Sequence, residues 1–232
     1  MTFSAGFVAT DLHTDLFNGA VPLLNDRIRT IQAGAVYDFV DHWDGVNVFD
    51  AQLSQGLDIL DARTPGAPNL SRANGRSDFT KLIADAQRVQ SLGGNWSMMA
   101  AVTGQYGFTS LLASEQFGIG GVNFVRAYDP SELTGDSGLA AKVELQYGER
   151  STNIGLDNYQ LYGFYDAGRV WNHQPLPGEY GAASATAAGV GARFTVTEHV
   201  SGSLEVAKPL TRAVAAEGDR DPRVFFSLVA RF

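Results

Sequence analysis

The chain has 232 residues, a formal net charge of −8 and no cysteine. This length fits one large domain or two small ones. The negative charge argues against a nucleic-acid partner, and the lack of cysteine excludes a disulfide framework, thiol catalysis and a cysteine-based zinc site. No run of about 18 apolar residues predicts a transmembrane helix, and the first residues do not have the pattern of a signal peptide.

Apolar and polar residues alternate along most of the chain, which is the pattern of half-buried β-strands. In the clearest case Trp96, Met98 and Tyr106 share one face, while Ser97 and Gln105 lie on the other. We predict nine strands, a weaker tenth strand at the N-terminus, and no helix. The weak strand covers residues 3–14, and the other nine cover residues 26–39, 46–57, 79–92, 96–109, 139–147, 158–171, 184–199, 200–207 and 223–232.

The predicted connections differ in length in a regular way. Short turns are expected at residues 41–45, 93–95 and 197–201. Long loops are expected at residues 58–78, 110–138 and 173–183, and a further loop at residues 16–25. Short turns on one side and long loops on the other are typical of outer-membrane β-barrels.

Two all-β folds bury one face of many strands, the sandwich and the closed barrel. The predicted strands are longer than the five to six or so residues usual in soluble sheets. Their polar faces carry charged and amide side chains, and their apolar faces end in aromatic residues, which favours a transmembrane antiparallel β-barrel with lipid outside and a polar lumen inside. A soluble β-sandwich or lectin-like module remains the alternative.

The segment of residues 114–138 is the one long stretch without clean alternation. It contains five glycines and Pro130, and it carries the cluster Phe124-Val125-Arg126-Ala127-Tyr128-Asp129. Long irregular loops are usually functional or disordered, and the aromatic and charged residues argue against disorder. We therefore place the candidate functional residues here.

Three motifs in this order resemble one known family. The segment Val125, Arg126, Ala127 and Tyr128 is similar to the VRGY or VRGF motif in the inward-folded loop of two-partner-secretion outer-membrane transporters of the ShlB/FhaC/HecB family, within the BamA-like superfamily. Residues 164–168, with Phe164, Asp166 and Gly168, match that family's F-x-D-x-G motif on a later strand. The C-terminal segment, with Phe226, Leu228 and Phe232, resembles an outer-membrane targeting signal.

The resemblance implies a C-terminal portion of the barrel, about ten strands of a sixteen-stranded barrel, with the long loop folded into the lumen after the fifth strand present here. Residues 1–232 would form this one domain, with neither signal peptide nor periplasmic POTRA domains. A closed barrel of only ten strands would have a lumen filled largely by side chains. We therefore interpret the chain as a fragment or truncated form of the transporter.

The function implied by the resemblance is export, and activation, of a haemolysin- or filamentous-haemagglutinin-like partner protein across the outer membrane of a Gram-negative bacterium. The expected partners are this secreted protein, outer-membrane lipid and the barrel assembly machinery. No cofactor, metal or enzymatic activity is expected. An assembly factor that inserts other barrels, as BamA does, is the alternative, and an enzyme or small-molecule porin is a third hypothesis.

The resemblance also implies a contact between the two central motifs. We expect Arg126 to reach into the lumen and pair with Asp166, since alternation places Phe164, Asp166 and Gly168 on one face of their strand. A guanidinium can grip a carboxylate through two parallel hydrogen bonds. The alternative is a solvated Arg126 and an Asp166 that lines a wet pore. Ala127 departs from the family's glycine, so either the backbone tolerates it or the loop docks less well.

Other chemistry is sparsely represented. The four histidines have no metal-ligand spacing. Asp129, Glu132 and Asp136 could form a calcium-like acid cluster, but a solvated loop explains them better.

Overall fold

The computed structural model describes residues 1–16, 21–149 and 156–231. These residues form a 3-10 turn at Ala113–Glu115 and the strands β1 Thr2–Leu16, β2 Val21–Val40, β3 Val46–Gly56, β4 Thr80–Gly93, β5 Trp96–Gly107, β6 Phe117–Ile119, β7 Leu133–Gly135, β8 Ser137–Glu149, β9 Asn158–Trp171, β10 Ala182–Thr197, β11 Val200–Pro209 and β12 Arg223–Ala230. Among the same residues, no helix has the length and apolar character needed to cross a membrane.

Ten strands form one antiparallel sheet in the order β1-β2-β3-β4-β5-β8-β9-β10-β11-β12. Strands that follow each other along the chain are neighbours in space, and β5 pairs with β8 across a long connection. The predicted set of ten strands is confirmed. Each end strand pairs with a single neighbour in the described part of the chain, so the sheet is open at β1 and β12.

One face of the sheet is apolar and exposed, whereas in a soluble sandwich the apolar face is buried. On β9, Leu161 and Tyr165 are about half exposed, at 50% and 47%, whereas Tyr162, Phe164 and Asp166 on the other face are buried. Exposed apolar side chains continue across the other strands on the side of the sheet that carries Leu161 and Tyr165. An apolar face of this extent suits contact with lipid, and the soluble sandwich is therefore excluded.

Aromatic residues lie near both ends of the strands. At the short-turn end the rings of Trp96 and Tyr147 are 5.1 Å apart on the paired strands β5 and β8. Toward the opposite end Tyr106 contacts Phe108, with ring centroids 4.9 Å apart. Such pairs at both ends are the aromatic girdles predicted for a membrane barrel.

The predicted loop over residues 16–25 is shorter than expected. Strand β2 begins at Val21 and its first residue pairs with Leu16 of β1. The strand includes Pro22, beside a register shift at Thr14 and Asp15, and proline is tolerated at such irregularities. Pairing along the ladder therefore overrides the turn signal of Pro22. Residues 17–20 of the predicted loop lie outside the described residues.

The connection between β5 and β8, residues 108–136, is here called the long loop. It follows the fifth strand of the sheet, as predicted, but it is not wholly irregular. It contains the 3-10 turn and the small β6–β7 sheet, and strand β8 already begins at Ser137. The long loop packs on the face that carries Phe164 and Asp166, which we call the inner face. The other side of the sheet is the outer face.

A charge on the outer face is expected to oppose membrane insertion. Val102 and Thr103 are neighbours near the middle of β5 and point to the outer and inner faces, respectively. Val102→Arg should destabilise the inserted protein by about 2–4 kcal/mol, because the charge would lie near the bilayer midplane. Unfolding by denaturant in lipid vesicles, read by a heat-modifiable gel shift, measures this. Thr103→Arg is the matched control, and equal effects of both changes would contradict the assigned faces.

Candidate functional site in the long loop

The tip of the long loop is built as a compact turn around the predicted motif. Tyr128 N–H donates to Val125 O at 3.2 Å, and Gly121 N–H donates to Tyr128 O at 2.9 Å. Gly120 has φ of +113°, and a Cβ there would lie only 2.0 Å from Asp129 O. A glycine is therefore required at this position.

The motif residues are buried against the inner face. Val125 and Ala127 have no exposed surface, and Tyr128 is 2% exposed. They share an apolar cluster with Ile119 and Leu133 of the loop. The sheet contributes to this cluster small and aromatic residues from β8 to β11: Ala140, Tyr162, Phe164, Val170, Ala183, Ala185, Ala187 and Ala207. Apolar packing therefore holds the tip on the sheet.

Arg126 lies at the centre of this contact and reaches Asp166 on β9. Its Nε and Nη2 donate to the two carboxylate oxygens of Asp166, each at 2.8 Å, and its backbone N–H donates to Asp166 Oδ2 at 3.1 Å. Arg126 is 5% exposed and Asp166 is fully buried. This is the bidentate geometry in which a guanidinium binds a carboxylate most strongly.

Two further carboxylates complete the surroundings of Arg126. Its Nη1 donates to Glu144 Oε1 on β8 at 2.5 Å, and lies 3.4 Å from Glu205 Oε2 on β11. Glu144 is fully buried. It also accepts hydrogen bonds from Arg193 on β10, at 3.1 and 3.2 Å. Two arginines and three carboxylates from four neighbouring strands and the loop thus form one network.

Aromatic rings support both arginines. The Arg126 guanidinium carbon lies 3.6 Å from the centroid of the Phe164 ring, and that of Arg193 lies 3.8 Å from the Tyr162 ring. Tyr162 also donates its hydroxyl to Glu205 at 2.8 Å. Planar guanidinium groups are attracted to aromatic faces and lose little freedom there. The first residue of the F-x-D-x-G motif therefore stacks on the arginine that its aspartate binds.

The last residue of the same motif makes room for the loop. A Cβ on Gly168 would lie 2.9 Å from Ile119 Cδ1 and 3.0 Å from Val125 Cγ2. Both of those side chains are buried in the loop. A branched side chain such as valine at position 168 would overlap both of them and push the loop away from β9.

Ala127 does not need the conformational freedom of glycine. The left-handed residue of the motif is Val125, with φ of +60°, and Ala127 is not among the residues of positive φ. Ala127 is fully buried, and its carbonyl oxygen accepts a hydrogen bond from Arg223 Nη1 at 3.0 Å. The backbone therefore accommodates alanine here, and the loop docks with it in place.

The last hairpin of the sheet braces the same tip. Arg223, the first residue of β12, also donates to Asp129 at 2.8 Å. The Tyr128 hydroxyl donates to Arg212 O at 3.1 Å, in the connection between β11 and β12. These contacts join the loop to sequence almost a hundred residues away, which no local pattern indicates.

The remaining predicted residues lie apart from this site. Phe226 and Leu228 of the proposed targeting signal are 82% and 67% exposed on β12, and Phe232 lies outside the described residues. Asp129, Glu132 and Asp136 do not converge, because they contact Arg223, Ala215 N–H and Arg72, respectively. In the described parts of the chain, no group of three or more His, Asp or Glu could hold a metal ion.

Sequence reasoning did not single out Glu144, Arg193 or Glu205. Alternation placed Glu144 and Arg193 on the polar faces of their strands, but it assigned no contact to either. The strand register is the missing signal, because Glu144 lies directly opposite Phe164 on β9. With that register known, Glu144 would be an evident candidate, because it lies on the strand next to Asp166, the partner of Arg126.

Replacing Gly168 with a larger residue should detach the loop while all residues of the charge network stay unchanged. In Gly168→Val we expect the loop tip to leave the inner face, because the new side chain would overlap Ile119 and Val125. Spin-label distances between the loop and β9 measure the change. Gly163→Val is the control on the same strand, since no atom lies closer than 3.9 Å to a Cβ built there. An unchanged distance in Gly168→Val would contradict the steric role.

Comparison with known proteins identifies the family. The family model for haemolysin secretion/activation protein ShlB/FhaC/HecB matches residues 18–194, which is more than half of the chain. Among solved structures, CdiB from Escherichia coli aligns over 99% of this chain with a TM-score of 0.76 and 18% sequence identity.

The likeness to CdiB shows the fold, so the open sheet is a partial antiparallel β-barrel, and the chain spans 41% of the CdiB chain. A comparison with curated proteins finds no match. The family match covers the long loop and its partner strands β8 and β9. The chain therefore belongs to the ShlB/FhaC/HecB family of two-partner-secretion transporters of the outer membrane.

Proposed function

We propose that the intact protein exports a large secreted protein from the periplasm to the surface of a Gram-negative bacterium, through the barrel in which this sheet lies. The export is passive, and the barrel lumen is the conduit. The partner is a haemolysin- or filamentous-haemagglutinin-like protein, which the transporter also activates. Family membership supports export over the insertion of other barrels.

The observation that carries the proposal is the burial of Arg126 among three carboxylates on the inner face. A loop held this way occupies part of the space that a translocating chain must use. Ionic contacts hold its tip in place. Losing one partner of such a contact costs free energy, because the remaining charges stay buried and unpaired. We therefore assign the loop the role of a structural element that sets the shape of the conduit.

The outer face and strand β12 support the other proposed partners. We expect the apolar outer face to contact outer-membrane lipid, and the exposure of its side chains supports this. Phe226 and Leu228 extend outward from the free edge strand, close to the C-terminus. Together with Phe232 they form the signal that the barrel assembly machinery reads.

Removing the positive charge of Arg126 should strongly reduce export while the barrel still assembles. We expect Arg126→Met to reduce surface delivery of a co-expressed partner by at least about tenfold, since losing one member of a buried pair costs about 3–5 kcal/mol. Immunoblotting of the culture medium and of outer membranes separates export from assembly. Arg169→Met is the control, because Arg169 is exposed on the opposite face of the strand that carries Asp166.

A charge swap tests the pairing itself. Arg126→Asp and Asp166→Arg should each impair export, and the double variant should recover part of it because the opposite charges face each other again. Normal export by both single variants would contradict the proposal. If the variants instead deplete many outer-membrane barrels, the insertion hypothesis replaces export.

A further inference from the structure

A second buried charge cluster lies at the end of the sheet where the long connections meet. Arg72, in the connection between β3 and β4, is 7% exposed, and Asp136, the last residue of the long loop, is fully buried. Arg72 Nη1 donates to Asp136 Oδ1 at 2.6 Å and to Leu111 O at 2.7 Å. This arginine therefore joins one connection to both ends of another.

Arg72 also holds a third connection. Its Nε and Nη2 donate to the two carboxylate oxygens of Glu179, each at 3.0 Å. Glu179 lies between β9 and β10, and its Oε2 accepts from Leu176 N–H at 3.0 Å as well. Hydrogen bonding from Arg72 lowers the pKa of Glu179 below its usual range. The pair is therefore ionised near neutral pH, and it weakens only as the pH falls through that lowered value.

Asp136 is satisfied from several directions, which fixes the root of the long loop. Its Oδ1 accepts from Leu111 N–H and its Oδ2 from His173 N–H, both at 2.8 Å. His173 belongs to the same connection as Glu179. A carboxylate held by two backbone amides and one guanidinium is well ordered, because every oxygen has a charge-assisted or backbone partner.

We propose that Arg72, Asp136 and Glu179 form a clamp that closes the long-connection end of the conduit by holding residues 57–79, 108–136 and 172–181 together. Arg72 is a positioning residue, and it acts on the root of the long loop, whereas Arg126 acts on its tip. The two anchors are separate, so the tip can leave the inner face while the root stays in place. Opening this end of the conduit then requires the release of Arg72.

The clamp depends on the proposed function only in that the conduit carries protein, and its test needs no partner protein. Residues 1–232 contain no cysteine, so cysteines introduced at Thr64 and Pro177 provide spin-label sites on two of the three connections. Both positions are exposed. Pulsed electron paramagnetic resonance on the intact protein in lipid bilayers then reports the distance between the connections.

Arg72→Met should lengthen and broaden this distance distribution, with an increase of about tenfold in the separated population. Planar-bilayer recordings of the same variant should show a higher open fraction. Arg76→Met is the matched control, because Arg76 lies in the same connection but forms its bidentate pair with Asp78 at the surface. The control should match the unsubstituted protein in both measurements.

Glu179→Gln keeps Arg72 and Asp136 in place and removes only the negative charge of Glu179. It should also widen the distribution, so the proposal remains testable if Arg72→Met fails to assemble. Unchanged distances in Glu179→Gln, or equal changes in Arg72→Met and Arg76→Met, would overturn the clamp. Failure of export with intact clamp distances would instead count against the proposed function alone.

Discussion

Burying the guanidinium of Arg126 is the constraint on which the rest of the site depends. An arginine taken out of water is tolerated only where its donors find partners of opposite charge in good geometry. Here Asp166, Glu144 and Glu205 supply those partners from three different strands. The docked loop brings Arg126 to these partners, and the ring of Phe164 stacks on its guanidinium.

The sheet accommodates the loop by using small residues where the loop approaches. Ala183, Ala185 and Ala187 of β10 are buried in the shared cluster, and Gly168 of β9 leaves space for two loop side chains. Larger residues would fill the inner face and prevent docking, since well-packed interiors have little free volume. Val125 is strained, because it is a β-branched residue at positive φ. The surrounding packing holds it in this conformation.

Alternation alone predicted the set of ten strands, their facing and the position of the long loop, because a period of two is read directly from the residues. It misjudged the start of β2, where pairing with Leu16 overrides the turn signal of Pro22. The Arg126–Asp166 contact was expected from a family resemblance and not from pattern. Sequence reasoning missed Glu144 and Arg193, as well as Arg72 and Glu179. Contacts between residues far apart in sequence depend on the strand register and on the paths of the loops, and neither can be read from a single sequence.

The lengths of the two edge strands, β1 and β12, have a consequence for the insertion of this sheet into a membrane. Strand β1 has 15 residues and β12 has 8. Direct pairing of the two would leave an overhang of 7 residues on β1. About half of these would have unpaired N–H and C=O groups, because alternate residues already pair with β2. Each such group is costly in hydrocarbon. A direct seam between β1 and β12 would therefore be incompletely hydrogen-bonded, and a partner strand as long as β1 would satisfy more of that edge.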